Sequence, residues 1–333
     1  MRILSTSRRK AIVRSTLAGG VVFAMAVATA GCTGAADGQT PSTKKTFTIG
    51  VAEASTTISF LAALDKAITD QAAKHGMKTI ILNGNLDNAT QAANVATLIS
   101  KKVDAILVIS SSPTAVVPNI AKARAAGIPV FAVNAQLDPS AKVITYVGDS
   151  DFDYGVGEGK LLVQALPNGG KTAIILGPLG DTPEVQRLAG IKSVLKDHPE
   201  ISIVATPTDG FDNQKNLAVT QDLLSKYPKG TLDAIVAEGP QMYVGAEYAQ
   251  KHGRTDIKFI AGDYPKQVEA AIKSGAIFGT VDQSPILEGQ LGADYAYYWL
   301  TGKKDKVKTP KFLIPLPAIT ADNVATNPSS WSN

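Results

Sequence analysis

The chain holds one cysteine and three histidines in 333 residues. A single cysteine excludes an internal disulfide framework. His75, His198 and His252 stand in Lys-His-Gly, Asp-His-Pro and Lys-His-Gly contexts, with no metal-ligating partner three or four residues on, so the ligand set of a zinc hydrolase is missing. Each falls where a helix should end, a place where a cation is mildly favoured. There is no Gly-x-Ser-x-Gly elbow. Gly169-Gly170-Lys171-Thr172 has the tail of a phosphate loop, but Ala165 stands where the first glycine is required and the segment precedes a strand. Gly155-Val156-Gly157-Glu158-Gly159-Lys160 puts Lys160 where a dinucleotide fingerprint needs its third glycine. The expectation is therefore no cofactor, no metal and no catalytic residue.

The chain also lacks a real excess of positive charge. Its formal +4 comes from 33 Lys+Arg against 29 Asp+Glu, but the first 31 residues hold five basic residues and no acid. Residues 32–333 carry 28 basic and 29 acidic groups, which excludes a strongly basic nucleic-acid binder. A charged fraction of 19% with 44% hydrophobic residues fits a folded globular protein. The 302 residues from Cys32 onward suit about two domains of ~150 residues each.

Residues 1–31 read as an export signal. A basic region ends at Arg14, and an apolar run follows from Leu17 to Ala28. Twelve residues rise only ~18 Å as a helix, short of a bilayer; a short membrane anchor is the competing reading. Ala30-Gly31-Cys32 resembles a bacterial lipobox, in which the thiol takes a diacylglycerol and becomes the new N-terminus, although Thr29 replaces the usual Leu or Val. Ser7-Arg8-Arg9-Lys10 partly matches a twin-arginine signal, and ordinary secretion fits as well. Residues 32–46, rich in Gly, Ala, Ser, Thr and Lys, read as a lipid-anchored tether. With Cys32 lipidated, cysteine catalysis is closed off and the protein sits at the outer face of the cytoplasmic membrane or in the periplasm.

From Phe47 onward short apolar runs recur: Phe47–Val51, Thr79–Leu82, Ala105–Ile109, Val130–Val133, Val143–Val147, Thr172–Leu176, Ile201–Ala205, Ala234–Ala237 and Lys258–Ala261. Segments with helical spacing lie between most of them; Phe60, Leu61, Leu64 and Ile68 share one face. Runs without polar alternation fit strands covered on both sides. The fold class is thus α/β, a βαβ series divided near Gly148–Asp151 into two doubly wound parallel-sheet lobes. In such sheets ligands bind beyond the carboxyl ends of the strands.

Polar and aromatic residues collect at those ends. Glu53, Thr56, Thr57 and Phe60 follow the first strand, Asn134 and Gln136 the fourth, Asp149 and Asp151 the fifth. Arg187 opens the helix after Leu176; Phe211, Asp212, Glu238, Asp263 and Gln283 follow later strands. Carboxylates, amides and a guanidinium can pair with vicinal hydroxyls while aromatic rings cover C–H faces. Asp149, Asp151 and Asp212 serve equally as helix N-caps, Phe60 as core and Arg187 as half of an ion pair.

From Phe47 to about Lys304 the chain resembles the type I periplasmic sugar-binding proteins, the ribose-binding-like receptors of ABC importers. The resemblance rests on Asp87-Asn88-Ala89-Thr90-Gln91, the run Lys101 to Val108, Ala126-Gly127-Ile128-Pro129-Val130-Phe131, Val147-Gly148-Asp149-Ser150-Asp151, Arg187-Leu188-Ala189-Gly190-Ile191 and Ala261-Gly262-Asp263. It implies ligand contacts at Phe60, Asn134, Arg187, Phe211, Asp263 and Gln283, to which strand-end position adds Glu53 and Thr57. Ile58, Ala135 and Gly239 stand where ribose binders carry an asparagine, an arginine and an amide. The resemblance further implies lobes of residues 47–149 with 284–308 and 150–283 with 309–333, Phe312–Ile319 lying in the second.

The expected function is capture of a monosaccharide or polyol by a lipid-anchored monomer that hands it to an ABC permease and its ATPase. A receptor for an amino acid or sugar acid, using Arg187 against a carboxylate, is the alternative within the binding class. A secreted sugar-modifying enzyme would need Glu53 or Glu238 as its base. A repressor would need a helix-turn-helix where the export signal stands.

Overall fold

The first apolar run forms β1 (Thr48–Glu53), followed by α1 (Ser59–Lys74), β2 (Lys78–Asn83), α2 (Asn88–Ser100), β3 (Ala105–Val108), α3 (Val117–Ala125), β4 (Val130–Val133) and β5 (Tyr146–Gly148). The alternation repeats through α4 (Asp151–Ala165), β6 (Gly170–Ile175), α5 (Thr182–Leu195), β7 (Ile201–Ala205), α6 (Asn213–Lys226), β8 (Ala234–Ala237), α7 (Met242–Lys251), β9 (Lys258–Gly262), α8 (Lys266–Lys273) and β10 (Gly279–Val281). Then come α9 (Pro285–Leu300), β11 (Lys311–Leu313) and β12 (Ala318–Thr320). The structure is a computed structural model and describes residues 45–332. The export signal, Cys32 and all of the tether but residues 45 and 46 lie outside the described residues.

Two six-stranded sheets result, ordered β11-β5-β4-β3-β1-β2 and β12-β10-β9-β8-β6-β7. Strands pair in parallel except β12, which runs antiparallel to β10. Each half has the 2-1-3-4-5 order of a doubly wound sheet. Helices cover both faces, so β3 and β8 are buried along their whole length and need no polar alternation. In the first sheet Phe60, Leu64 and Ile68 of α1 pack into one core with Phe131 and Ala293.

The glycine run Gly155 to Gly159 finds its use in helix packing. A Cβ at Gly155 would lie 1.9 Å from the Arg187 carbonyl oxygen, and one at Gly159 2.9 Å from Val194 Cβ. Small residues here let α4 approach α5 closely along the stretch from Arg187 to Val194. His75 and His252 cap the C-ends of α1 and α7, as their sequence context predicts.

The chain passes between the sheets at three places: after β5, after β10, and between β11 and β12. α9 packs on α1 and on β3, β4 and β5. The segment Phe312–Ile319 departs from expectation. It divides, with β11 added to the first sheet beside β5 and only β12 in the second. Tyr146 N donates to the Pro310 carbonyl at 3.1 Å and Ile314 N to that of Gly148 at 2.7 Å, while Phe312 and Ile314 pack into the first core. A boundary at residues 308 and 309 therefore falls before the third passage, which runs through residues 314–317.

Candidate functional site

In a parallel sheet the helix N-termini gather at the carboxyl edge, and their caps are built there. Asp87 accepts from Thr90 N at 2.7 Å, Ser150 from Asp153 N at 3.2 Å, Asp212 from Lys215 N at 2.8 Å and Ser284 from Leu287 N at 3.2 Å. Of the three aspartates offered as caps, only Asp212 takes that role; Ser150 does it for α4.

The carboxyl edges of the two sheets meet across a cavity of ≈ 70 Å³. Six of the eight sequence-predicted residues line it: Phe60 and Asn134 from the first sheet, Arg187, Phe211, Asp263 and Gln283 from the second. Asn134, Phe211 and Asp263 hold left-handed backbone, with φ of 65°, 61° and 52°. Such a conformation costs a non-glycine residue about 1–3 kcal/mol. Local bonds hold it: Asn134 N donates to the Val147 carbonyl at 2.9 Å and Phe211 N to Asp209 Oδ1 at 2.8 Å. The Phe211 ring is seated between two strand-end glycines. A Cβ at Gly177 would stand 2.4 Å from Phe211 Cζ, and one at Gly239 2.6 Å from Phe211 Cδ1.

Glu53 and Thr57 are not in the walls. Glu53 is fully buried, and its Oε1 accepts from Ala54 N at 2.7 Å and Ser55 N at 3.4 Å, tying down the turn after β1. Burial, then the neighbouring Asp65, pushes its pKa well up. Thr57 is exposed and lies 3.0 Å from the Ser55 hydroxyl. Both support the turn that presents Phe60. Glu238 is likewise turned away from the cavity, its Oε2 accepting from Gly177 N at 2.9 Å.

The cavity also takes in residues that strand-end reasoning passed over, among them Ser110, Ser111, Asp181 and Gln241. Gln241 is buried and its Oε1 has no hydrogen-bond partner within the protein. It stands two residues past Gly239, so the loop that has glycine where ribose binders carry an amide still brings an amide to the cavity. Ser110 and Ser111 stand two and three residues past β3, so the strand-end rule applied to that strand would have found them.

Arg187 organises the floor. Its Nη1 donates to the Glu238 carbonyl at 2.7 Å, Nη2 to Gln283 Oε1 at 2.9 Å and Nε to Asp151 Oδ1 at 3.3 Å. The guanidinium lies 3.8 Å over the Tyr154 ring, whose hydroxyl donates to Asp263 Oδ1 at 3.0 Å. Gln283 Nε2 donates in turn to Glu288 Oε1 at 2.9 Å, and Asn134 Nδ2 to Glu288 Oε2 at 3.0 Å.

Arg187 shares this interior with the buried carboxyls of Asp149, Asp151, Glu158, Glu238 and Asp263. One cation cannot balance them all, so protons do. Burial raises Asp263 to about 7 and Glu238 and Glu288 to about 8. Asp149 is pushed well up by burial, then by Glu288 and Asp151, and both its carboxyl oxygens lack a partner. Among the described residues no group of His, Cys, Asp or Glu is arranged to hold a metal ion, and no helix is long and apolar enough to cross a membrane.

The geometry can be set beside known proteins. Residues 49–304 match the periplasmic binding protein domain. The chain is 30% identical over 306 residues to the xylitol-binding protein of Mycolicibacterium smegmatis, covering 92% of this chain and 86% of that one. It is 31% identical over 261 residues to the ribose import binding protein of Bacillus subtilis, covering 78% and 84%. Among solved structures it is similar to an ABC transporter solute binding protein from Mycobacterium smegmatis with bound glycerol, at a TM-score of 0.77 and 26% identity over 87% of this chain and 100% of that one. A solute binding protein from Bacillus halodurans with bound myo-inositol gives a TM-score of 0.76 and 25% identity over 84% and 96%.

Proposed function

The chain belongs to the periplasmic binding protein domain family, and from that premise we propose that it captures an uncharged monosaccharide or sugar alcohol between its two sheets. It is a solute receptor with the type I periplasmic binding fold and not an enzyme. The family is exported.

One observation carries the ligand class: Phe60 and Phe211, on opposite sheets, line a single cavity with Asn134, Gln241, Asp263 and Gln283. The rings suit the C–H faces of a sugar or polyol, and the amides and carboxyl suit its hydroxyls. We assign ligand contacts to these residues and to Arg187, and a supporting role to Glu53 and Thr57. The relative named for xylitol, aligned over most of this chain, supports a polyol in particular.

Arg187 supports an uncharged ligand over a carboxylate. Three of its N–H groups already serve Asp151, the Glu238 carbonyl and Gln283, and Asp181 and Asp263 stand in the same walls. Its two remaining N–H groups suit hydroxyls, whereas a sugar acid or amino acid would meet the carboxyls of Asp181 and Asp263.

The lobes close when one ligand bonds to both, so the closed form is stabilised only with ligand present. The lobes proposed are residues 47–149 with 284–314, and 150–283 with 315–333. We further propose that the exported monomer is held by a lipid on Cys32 and hands its ligand to an ABC permease with its ATPase. A thermal-shift panel of sugars, polyols and sugar acids tests the ligand class, since a ligand at 100 times its Kd adds ~2.7 kcal/mol. Stabilisation by a pentitol or pentose is expected. Stabilisation by a sugar acid alone overturns the reading.

A further inference from the structure

The parallel first sheet sends every helix C-end and every strand start to one edge, away from the cavity. That edge is strongly basic. Lys74 ends α1 and Lys78 opens β2, and Lys101 and Lys102 follow α2. Lys122 and Arg124 lie in the last turn of α3, and Lys142 precedes β5. Lys303, Lys304 and Lys306 follow α9, and Lys308 and Lys311 lead into β11. All of these are exposed. The carboxylates among them are few: Asp70, paired with Lys66 at 2.5 Å; Asp104, bonded to Thr48 N at 2.8 Å and to Lys45 at 2.6 Å; Asp294, against His75 at 2.6 Å; and Asp305.

The corresponding edge of the second sheet is mixed. Asp197, Glu200, Asp233 and Asp256 stand there among the lysines, with Arg254 paired to Asp256 at 3.0 Å and Lys251 to Glu247 at 3.7 Å. With 28 basic and 29 acidic groups from residue 32 onward, the concentration of cations on one end is a separation of charge, not an overall excess.

Two further features belong to the basic end. Tyr297, Tyr298 and Trp299 are half-buried there. Lys303 lies 5.6 Å over Tyr297, Lys304 4.5 Å over Trp299 and Lys306 5.3 Å over Tyr298. Tyrosine, tryptophan and lysine together are the side chains that settle at a lipid headgroup layer. Lys45, three residues before the start of β1, is paired with Asp104 at this edge, so the described part of the chain begins here. Twelve residues separate Cys32 from Lys45, a distance of at most about 45 Å when extended.

We propose that this basic, aromatic-studded end of the first lobe is a docking face for an anionic phospholipid surface. The molecule stands on the membrane on that end, with its second lobe outward. The attraction is electrostatic, each cation near the headgroups adding to it, and it fades beyond a Debye length.

The test is flotation of the chain from residue 32 onward, carrying Cys32→Ala so that no acyl chain contributes. The vesicles are phosphatidylcholine alone or phosphatidylcholine with about 30% phosphatidylglycerol. Binding to the anionic vesicles only is expected, weakened by raising salt from about 50 to about 500 mM, with a blue shift of tryptophan emission from Trp299. Lys303→Glu with Lys304→Glu and Lys306→Glu should cut binding at least about tenfold. The same reversal at Lys196, Lys226 and Lys229, on the second lobe, should leave it within about twofold. Equal partition into both vesicle types, no loss in the first triple variant, equal loss in the second, or tighter capture by heparin than by vesicles overturns the proposal. Ligand-induced thermal shift measured on the same variants reports separately on the proposed cavity.

Discussion

Arg187 and Asn134 stand on different sheets and are joined by two intervening side chains: Arg187 reaches Gln283 at 2.9 Å, Gln283 reaches Glu288 at 2.9 Å, and Glu288 takes Asn134 at 3.0 Å. The relay passes through the second crossing of the chain, so the proposed ligand contacts on both sheets share a hydrogen-bonded frame. Such frames hold side chains in one geometry when every member is satisfied and fail when one is removed.

Arg187→Met should therefore be severe. It removes three hydrogen bonds and the stack on Tyr154 and leaves Asp151 and Asp263 without their cation. Breaking a buried pair this way costs about 3–5 kcal/mol, read as a lowered urea midpoint. Arg187→Lys should recover little, because one ammonium cannot span Asp151, the Glu238 carbonyl and Gln283 at once. A lysine variant with native stability would show that the fork geometry is dispensable.

The buried acids set the pH dependence of the ligand-free protein. Asp263 titrates near about 7 and Glu238 and Glu288 near about 8, all above the ordinary carboxylate range. Between that range and about 8 the folded state holds protons that the unfolded state has released, so stability falls as pH rises. The contribution is complete below about pH 4 and gone above about pH 8. Melting temperature should drop steadily from pH 5 to pH 8; a flat or rising profile contradicts it. Asp149→Asn, which neutralises a carboxyl with two unpartnered oxygens, should raise the melting temperature more at pH 8 than at pH 5.

Gly239→Ala should act on the ligand through Phe211. The new methyl would lie 2.6 Å from the Phe211 ring and 2.5 Å from Gln241 Oε1, so both must move into the cavity. Calorimetry should show affinity reduced by about tenfold or more, an overpacking effect of roughly 1–3 kcal/mol. Undiminished binding would mean that the ring has somewhere else to go.

Gln241→Leu separates binding from folding. Gln241 Oε1 is buried without a partner in the ligand-free protein, so its removal should leave stability unchanged or higher. Loss of a ligand hydroxyl's partner should weaken binding by about 1–3 kcal/mol. Destabilisation with intact affinity would move Gln241 from the ligand to the scaffold.

The fold was largely legible because its signals are local. Continuous apolar runs and helical spacing alternate from Phe47 to Ala261, and β4, β7 and β8 keep the bounds expected of them. β11 was missed because Phe312 and Ile314 look the same whichever sheet they join; long-range pairing with β5 decides it. In the site, the rule that function follows strand ends gathered Phe60, Asn134, Arg187, Phe211, Asp263 and Gln283, but it carries no information on which way a side chain turns. Glu53 belongs to the last position of β1 and faces inward, and Gln241 lies several residues past β8 yet faces the cavity. The left-handed backbone at Phe211 and the proton-sharing acids around Arg187 arise only from tertiary contact.

All three crossings leave from strands at the same border of each sheet, β5 with β11 and β10 with β12, while β2 and β7 form the opposite, unstitched border. For the proposed site that border is the open side. A solute entering there would pass Leu86, which follows β2, or Phe211, which follows β7, and both line the cavity. A fluorophore or affinity handle grafted onto a guest will thus be tolerated at the end facing Leu86 and rejected at the end facing Gln283, which makes the choice of attachment carbon a direct readout of how the guest lies inside.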